Sequence, residues 1–174
     1  VGAASALGAS FLPDYIVAGK ALTLTYTVRQ HGLTLLNGLK PEVEARAGGT
    51  DLRVMGAPGK AAGQYVSTVT LPTAGAWTIT IKSGFGNSGV TLEPIQVIEA
   101  GARALVLNDQ ERGHRLFIAK GCVTCHRQIQ VGPDLTNRQY PVEYLKQLLA
   151  DPKGTLGKSR SGNEMPNLNL STQE

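Results

Sequence analysis

From about Leu22 to Val97 apolar and polar positions alternate with period two, in runs rich in Thr, Val and Ile that are broken by Gly and Pro. Alternation of that kind predicts strands buried on one face. Leu22, Leu24, Tyr26 and Val28 alternate with Thr23, Thr25 and Thr27. Tyr65, Val69 and Leu71 share one face of a second run, and Trp77, Ile79 and Ile81 alternate with Thr78, Thr80 and Lys82. Turn signals at Pro58-Gly59, from Pro72 to Gly75 and from Gly84 to Gly89 space about six or seven short strands as an antiparallel Ig-like sandwich requires. Residues 11–99 are therefore expected to form one small all-β sandwich.

The pattern changes at Ala100-Gly101, after which apolar residues recur at helical spacing. This divides the chain into an all-β domain, residues 1–100, and an all-α domain, residues 101–174. Asn108 and Glu111 have the N-cap-to-N3 spacing of a capping box and open a predicted helix from about Asp109 to Lys120, with Gly113, Leu116 and Phe117 on one face. A second predicted helix begins near Pro141, carries Leu145, Leu148 and Leu149 on one stripe, and stops at Asp151-Pro152.

Composition sharpens this picture in three ways. Aromatic residues make up only 5% of the 174 residues, with one Trp and three Phe, so a helical body of any size would lack large core fillers unless a cofactor supplied one. The net charge of +4 lies mostly in the second half, with 7 Lys+Arg against 6 Asp+Glu in residues 1–100 and 10 against 7 in residues 101–174. That modest excess suits an acidic protein partner, and no basic run with interleaved aromatics points to nucleic acid. The chain begins at Val1 without an initiator Met; the small apolar stretch Val1–Phe11 reads as a tether or first strand, or as the stub of a membrane anchor.

The only two cysteines stand in Cys122-Val123-Thr124-Cys125-His126, directly after the first predicted helix. Two thiols three apart can each add across a porphyrin vinyl group while the adjacent imidazole comes under the iron, so the motif predicts one covalent haem c. A thioredoxin-like CxxC should follow a strand in a βαβ unit, and none is predicted. Structural zinc would need two further ligands, and the remaining histidines are His31 and His114.

Residues 103–170 resemble a small class I cytochrome c. The resemblance is carried by the CVTCH motif, by Gly113 and Phe117 before it, by Gly132-Pro133-Asp134-Leu135, by the Tyr140–Pro152 helix and by Glu164-Met165-Pro166-Asn167-Leu168. It implies that Pro133 offers its carbonyl to the proximal imidazole of His126, a role that also suits a ligand ring needing its second nitrogen hydrogen-bonded. For the sixth iron ligand this half of the chain holds one Met, Met165, and one other His, His114. Thioether ligation by Met165 favours ferrous iron and raises the potential; ligation by His114 or an open site are the alternatives. Basic residues in the Lys153–Arg160 loop would lie near the haem edge in this family, where they either steer an acidic redox partner or simply solvate a Gly-rich loop. Ser171-Thr172-Gln173-Glu174 has the spacing of a second capping box, which predicts that the natural chain continues into the family's C-terminal helix.

The first domain resembles the YtkA/FixH-like group of Ig-like sandwiches through Gly63-Gln64-Tyr65, Thr70-Leu71-Pro72 and Gly75-Ala76-Trp77 with the Ile79/Ile81 alternation after it. The resemblance implies an extracytoplasmic protein, at the periplasmic face of a bacterial membrane, and brings copper handling into view. His31 and Met55 are its only imidazole and soft ligands, too few for a blue-copper site. The expected function is one-electron transfer, not enzymatic turnover, within a membrane-associated respiratory or photosynthetic complex, the sandwich serving to dock on it. The alternatives are a haem enzyme or ligand sensor with labile Met165, and a copper-handling assembly factor.

Overall fold

The computed structural model describes residues 5–9, 12–157 and 164–174. It divides into two compact units, one ending at Gly121 and the other running from Cys122 to Glu174.

The first unit is a β-sandwich of two sheets. Its described strands are β1 (Ser5–Ala9), β2 (Tyr15–Val17), β3 (Ala21–Gln30), β4 (Thr34–Leu35), β5 (Glu42–Ala47), β6 (Thr50–Met55), β7 (Ala57–Pro58), β8 (Gln64–Thr70), β9 (Gly75–Lys82), β10 (Gly89–Thr91) and β11 (Ile95–Ile98). One sheet has the order β1-β3-β8-β7 with β4 paired to β3, and the other the order β2-β11-β9-β5-β6 with β10 paired to β9. The pairings are antiparallel except that of β2 with β11. Among the described residues there are more strands than the six or seven expected, because β2, β4, β7 and β10 are two or three residues long, too short to show an alternation.

The alternating positions decide the core. Leu24, Tyr26, Val28, Leu71, Trp77, Ile79 and Ile81 are fully buried between the sheets, joined by Val43, Ala45 and Ile95. Register pairs Tyr26 with Tyr65 across β3 and β8, with ring centroids 6.2 Å apart. Their hydroxyls are satisfied: Tyr26 Oη pairs with Ser67 Oγ at 2.9 Å, and Tyr65 Oη accepts from Leu39 N–H and donates to the Leu36 carbonyl. Trp77 Nε1 donates to the Thr73 carbonyl at 2.9 Å, so the largest core side chain buries its ring and keeps its polar atom paired. His31 and Gly32, with φ of 52° and 75°, form the tip of the β3–β4 hairpin, closed by Leu33 N–H to the Gln30 carbonyl.

The strand pattern ends at Ala100-Gly101, but this compact unit continues through α1, Asp109–Ala119. Asn108 accepts from Glu111 N–H and Glu111 reaches back to Asn108 N–H, so the expected capping box is formed. Ala119 is buried in the sandwich core and Ile118 packs against it.

The second unit carries α2, Val142–Ala150, and α3, Pro152–Leu156. Asp151-Pro152 ends α2 as expected, yet it also starts α3: the Asp151 side chain accepts from Gly154 N–H, and Pro152 sits at the first helical position. The Lys153–Leu156 part of the expected basic loop is therefore helical, and Lys158 and Arg160 lie outside the described residues. Ser171 and Glu174 make both reciprocal bonds of a capping box. Among the described residues, no helix is long and apolar enough to cross a membrane.

Candidate functional site

Residues 122–128 are helical, and Thr124–Gln128 form a single π-helical turn closed by Ile129 N–H to the Thr124 carbonyl at 2.9 Å. Spacing of three along such a segment puts Cys122 and Cys125 on one face. Both are half-buried, and no disulfide joins them. Burial pushes the Cys125 thiol above its ordinary pKa.

His126 follows on the same turn. Its Nδ1 lies 2.7 Å from the Pro133 carbonyl oxygen. A carbonyl can only accept, so Nδ1 carries the proton, and in the neutral ring Nε2 is the nitrogen with the lone pair that a metal needs. Pro133 is brought there by its neighbours. Gly132 N–H donates to the Cys125 carbonyl at 3.1 Å, folding the chain back on the π turn. A Cβ at Gly132 would stand 2.8 Å from His126 Cε1 and 2.9 Å from Nδ1, so only glycine lets the backbone pass this close to the imidazole. Beyond Pro133, the Asp134 carboxylate accepts from Thr136 N–H at 2.9 Å and Thr136 Oγ1 at 2.6 Å, and its carbonyl accepts from Arg138 Nε at 3.0 Å. The Thr136 bonds hold Asp134 below the ordinary carboxylate pKa.

Met165 is half-buried in the same unit, two residues before Asn167, whose Nδ2 donates to the Ala150 carbonyl at 3.1 Å and ties the segment to the end of α2. The stretch immediately before it, residues 158–163, lies outside the described residues.

The Cys122–His126 segment with Pro133 fits a c-type haem: Cys122 and Cys125 would supply the two thioethers and His126 Nε2 the proximal ligand, with Pro133 as the acceptor that fixes the ring, while Met165, the sixth ligand that the resemblance implies, lies on a segment tied to the end of α2. The apolar residues of this unit support the fit. Every buried large apolar side chain among the described residues belongs to the sandwich, whereas Leu135, Tyr144, Leu145 and Leu148 are half-buried and Leu149 and Val142 are exposed. A unit with an amphipathic α2 and no buried large apolar side chain of its own is suited to close around a flat apolar group.

The other candidate ligands are not gathered. His114, on α1 in the first unit, lies with its Nδ1 3.4 Å from Glu93 Oε1. His31 is at a hairpin tip of one sheet, and Met55, 57% exposed, ends β6 in the other. Among the described residues no three His, Cys, Asp or Glu side chains group as a metal site. Gly132 and Asp134, which support the Pro133 loop, were not among the expected site residues; the Gly-Pro-Asp run was visible in the sequence, while the contact of Gly132 with the ring was not.

No family model and no curated protein matches the chain. Solved structures that it resembles include superoxide reductase (neelaredoxin) from Ignicoccus hospitalis, at 17% identity over 54% of this chain and 80% of that one with a TM-score of 0.35. A variant of the same protein gives 16%, 53%, 80% and 0.37. The PKD domain from the human VPS10 domain-containing receptor SorCS2 gives 12% identity over 57% and 76% of the two chains, with a TM-score of 0.32. No functional reading rests on likenesses this weak.

Proposed function

We propose that the chain is a one-electron carrier, a c-type cytochrome with one covalent haem, working outside the cytoplasm with a membrane-bound respiratory or photosynthetic redox complex. The observation that carries this reading is the His126 Nδ1 contact with the Pro133 carbonyl, on the same turn as two thiols spaced for attachment. When bound, haem c supplies a one-electron ferric/ferrous couple in which no bond to a substrate is made. The chain's own residues set the conditions. Pro133 holds the proton on Nδ1 and makes the imidazole a better donor, Gly132 lets that loop lie against the ring, and Asp134 braces the loop from the far side. The sandwich serves as a docking body, holding the carrier at high effective concentration beside its partner.

Expression in a host with a c-type maturation system tests this directly. One haem should survive denaturation in the intact mass, and Cys122→Ala or Cys125→Ala should each reduce attachment. Met165→Ala should abolish the red-end charge-transfer band of ferric iron bonded to Met sulfur and lower the midpoint potential. A chain that takes up no covalent haem under these conditions overturns the proposal. Attached haem whose ferric form lacks that band in the unaltered chain would move the reading to a haem enzyme or sensor.

A further inference from the structure

α1 leads directly into Cys122, and its attachment to the sandwich is made largely by charged side chains. The Asp14 carboxylate receives a two-pronged contact from Arg112, Nη2 at 2.7 Å and Nε at 3.2 Å, and also accepts Leu107 N–H at 3.1 Å. One turn on, the half-buried Arg115 guanidinium donates to the carbonyls of Pro13 at 3.2 Å and Pro94 at 3.0 Å. Ala119, a further turn along the same face, enters the core. Spacings of three and four align these residues on one stripe.

The partners of this stripe are the two chain segments that open the parallel pair. Pro13-Asp14 precede β2 and Pro94 precedes β11. No hairpin joins a parallel pair, and the helix adds a contact to the start of each of its strands. One helix face braces both strand starts, and in return the strands fix the helix. A planar guanidinium suits each contact, bidentate to a carboxylate at Arg112 and forked across carbonyls at Arg115.

We infer that Asp14, Arg112 and Arg115 are positioning residues for the Cys122–His126 segment: they clamp α1 to the sandwich, so that the redox segment starts from a fixed helix end and not from a slack linker. The functional meaning of this clamp rests on the proposed electron-transfer role. If residues 101–121 were a flexible tether, they would dilute the effective concentration that docking through the sandwich supplies; a clamped helix removes that slack.

The test uses amide hydrogen exchange on the full haem-bearing chain. Asp14→Asn keeps an acceptor for Leu107 N–H but removes the charge; Arg112→Gln removes the fork, and Arg112→Lys keeps charge without it. Exchange at Lys120 and Gly121, whose amides close the end of α1, should rise about tenfold in Asp14→Asn and Arg112→Gln, the scale expected when a charge-assisted pair is lost from a local opening equilibrium. The double variant should add little to either single one, Arg112→Lys should recover less than half the protection, and β9 amides should hold. Ile129 and Gly132, whose amides close the π turn and the loop after it, should also exchange faster, and finding them unmoved overturns the positioning role. Unchanged α1 exchange, or additive single variants, overturns the clamp itself. In a Cys122→Ala/Cys125→Ala chain the α1 response should persist, so failure to bind haem registers separately from failure of the clamp.

Discussion

At the residue scale the site turns on one hydrogen and one missing methyl group. Pro133 selects the His126 tautomer because its carbonyl offers only lone pairs, and the Gly132 backbone can approach the ring because it carries no Cβ. Gly132→Ala should therefore displace the imidazole or the loop, since the new methyl would stand 2.8 Å from Cε1. The expected outcome is loss of the hydrogen-bonded His126 Nδ1 proton signal in NMR spectra and, in a chain carrying the proposed haem, a shifted midpoint potential, with the stability of the sandwich unchanged. The Cys-x-x-Cys-His run stood out in the sequence because its residues are neighbours along the chain, and Pro133 was expected beside His126 only through the resemblance. The ring's contact with Gly132 was not legible there, since a glycine in a loop reads as a turn until the side chain it meets is known.

At the scale of elements, local signals located the helices well. Asn108 and Glu111 form their capping box, and Pro141 and Asp151-Pro152 bracket α2. Asn108→Ala should cost about 1 kcal/mol of helix stability, seen as faster exchange at the Glu111 amide with β-strand amides unaffected. Where two elements abut, the signals ran together: Asp151 closes α2 and caps α3, so the segment after it reads as a loop although five residues of it are helical. The shortest strands were equally silent. β4 and β7 are two residues each, and they exist through pairing with β3 and β8, not through any alternation of their own.

For the whole molecule, two lowered carboxylates couple stability to pH on the acid side. Glu44, buried in the outer face of its sheet, is held below the ordinary carboxylate range chiefly by the Lys82 ammonium, with Arg46 at 3.3 Å and Arg53 at 3.5 Å adding to it. Asp14 is lowered by Arg112 in the same way. A carboxylate whose folded pKa lies below its unfolded value of about 4 contributes stability that is fully present above that value and lost as pH falls through the folded one. The melting temperature should thus be level between about pH 5 and about pH 8 and fall below about pH 5, and Glu44→Gln should lower the plateau while flattening the fall. Thermal melts across that range check both; a melting temperature that rises on acidification would contradict the assignment.

By itself the amino-acid sequence determined the sandwich core and marked the Cys122–His126 motif. A period-two alternation names its own buried face, and Cys122, Cys125 and His126 are neighbours along the chain. Only the tertiary structure decided where α1 belongs. Its capping and periodicity are local and say that a helix forms, but Arg112 and Arg115 read as solvated charges until Asp14, Pro13 and Pro94 are brought beside them from the far end of the chain and from the start of β11. Which surface a helix buries against is a long-range choice, made by shape and charge at contacts that no local pattern encodes.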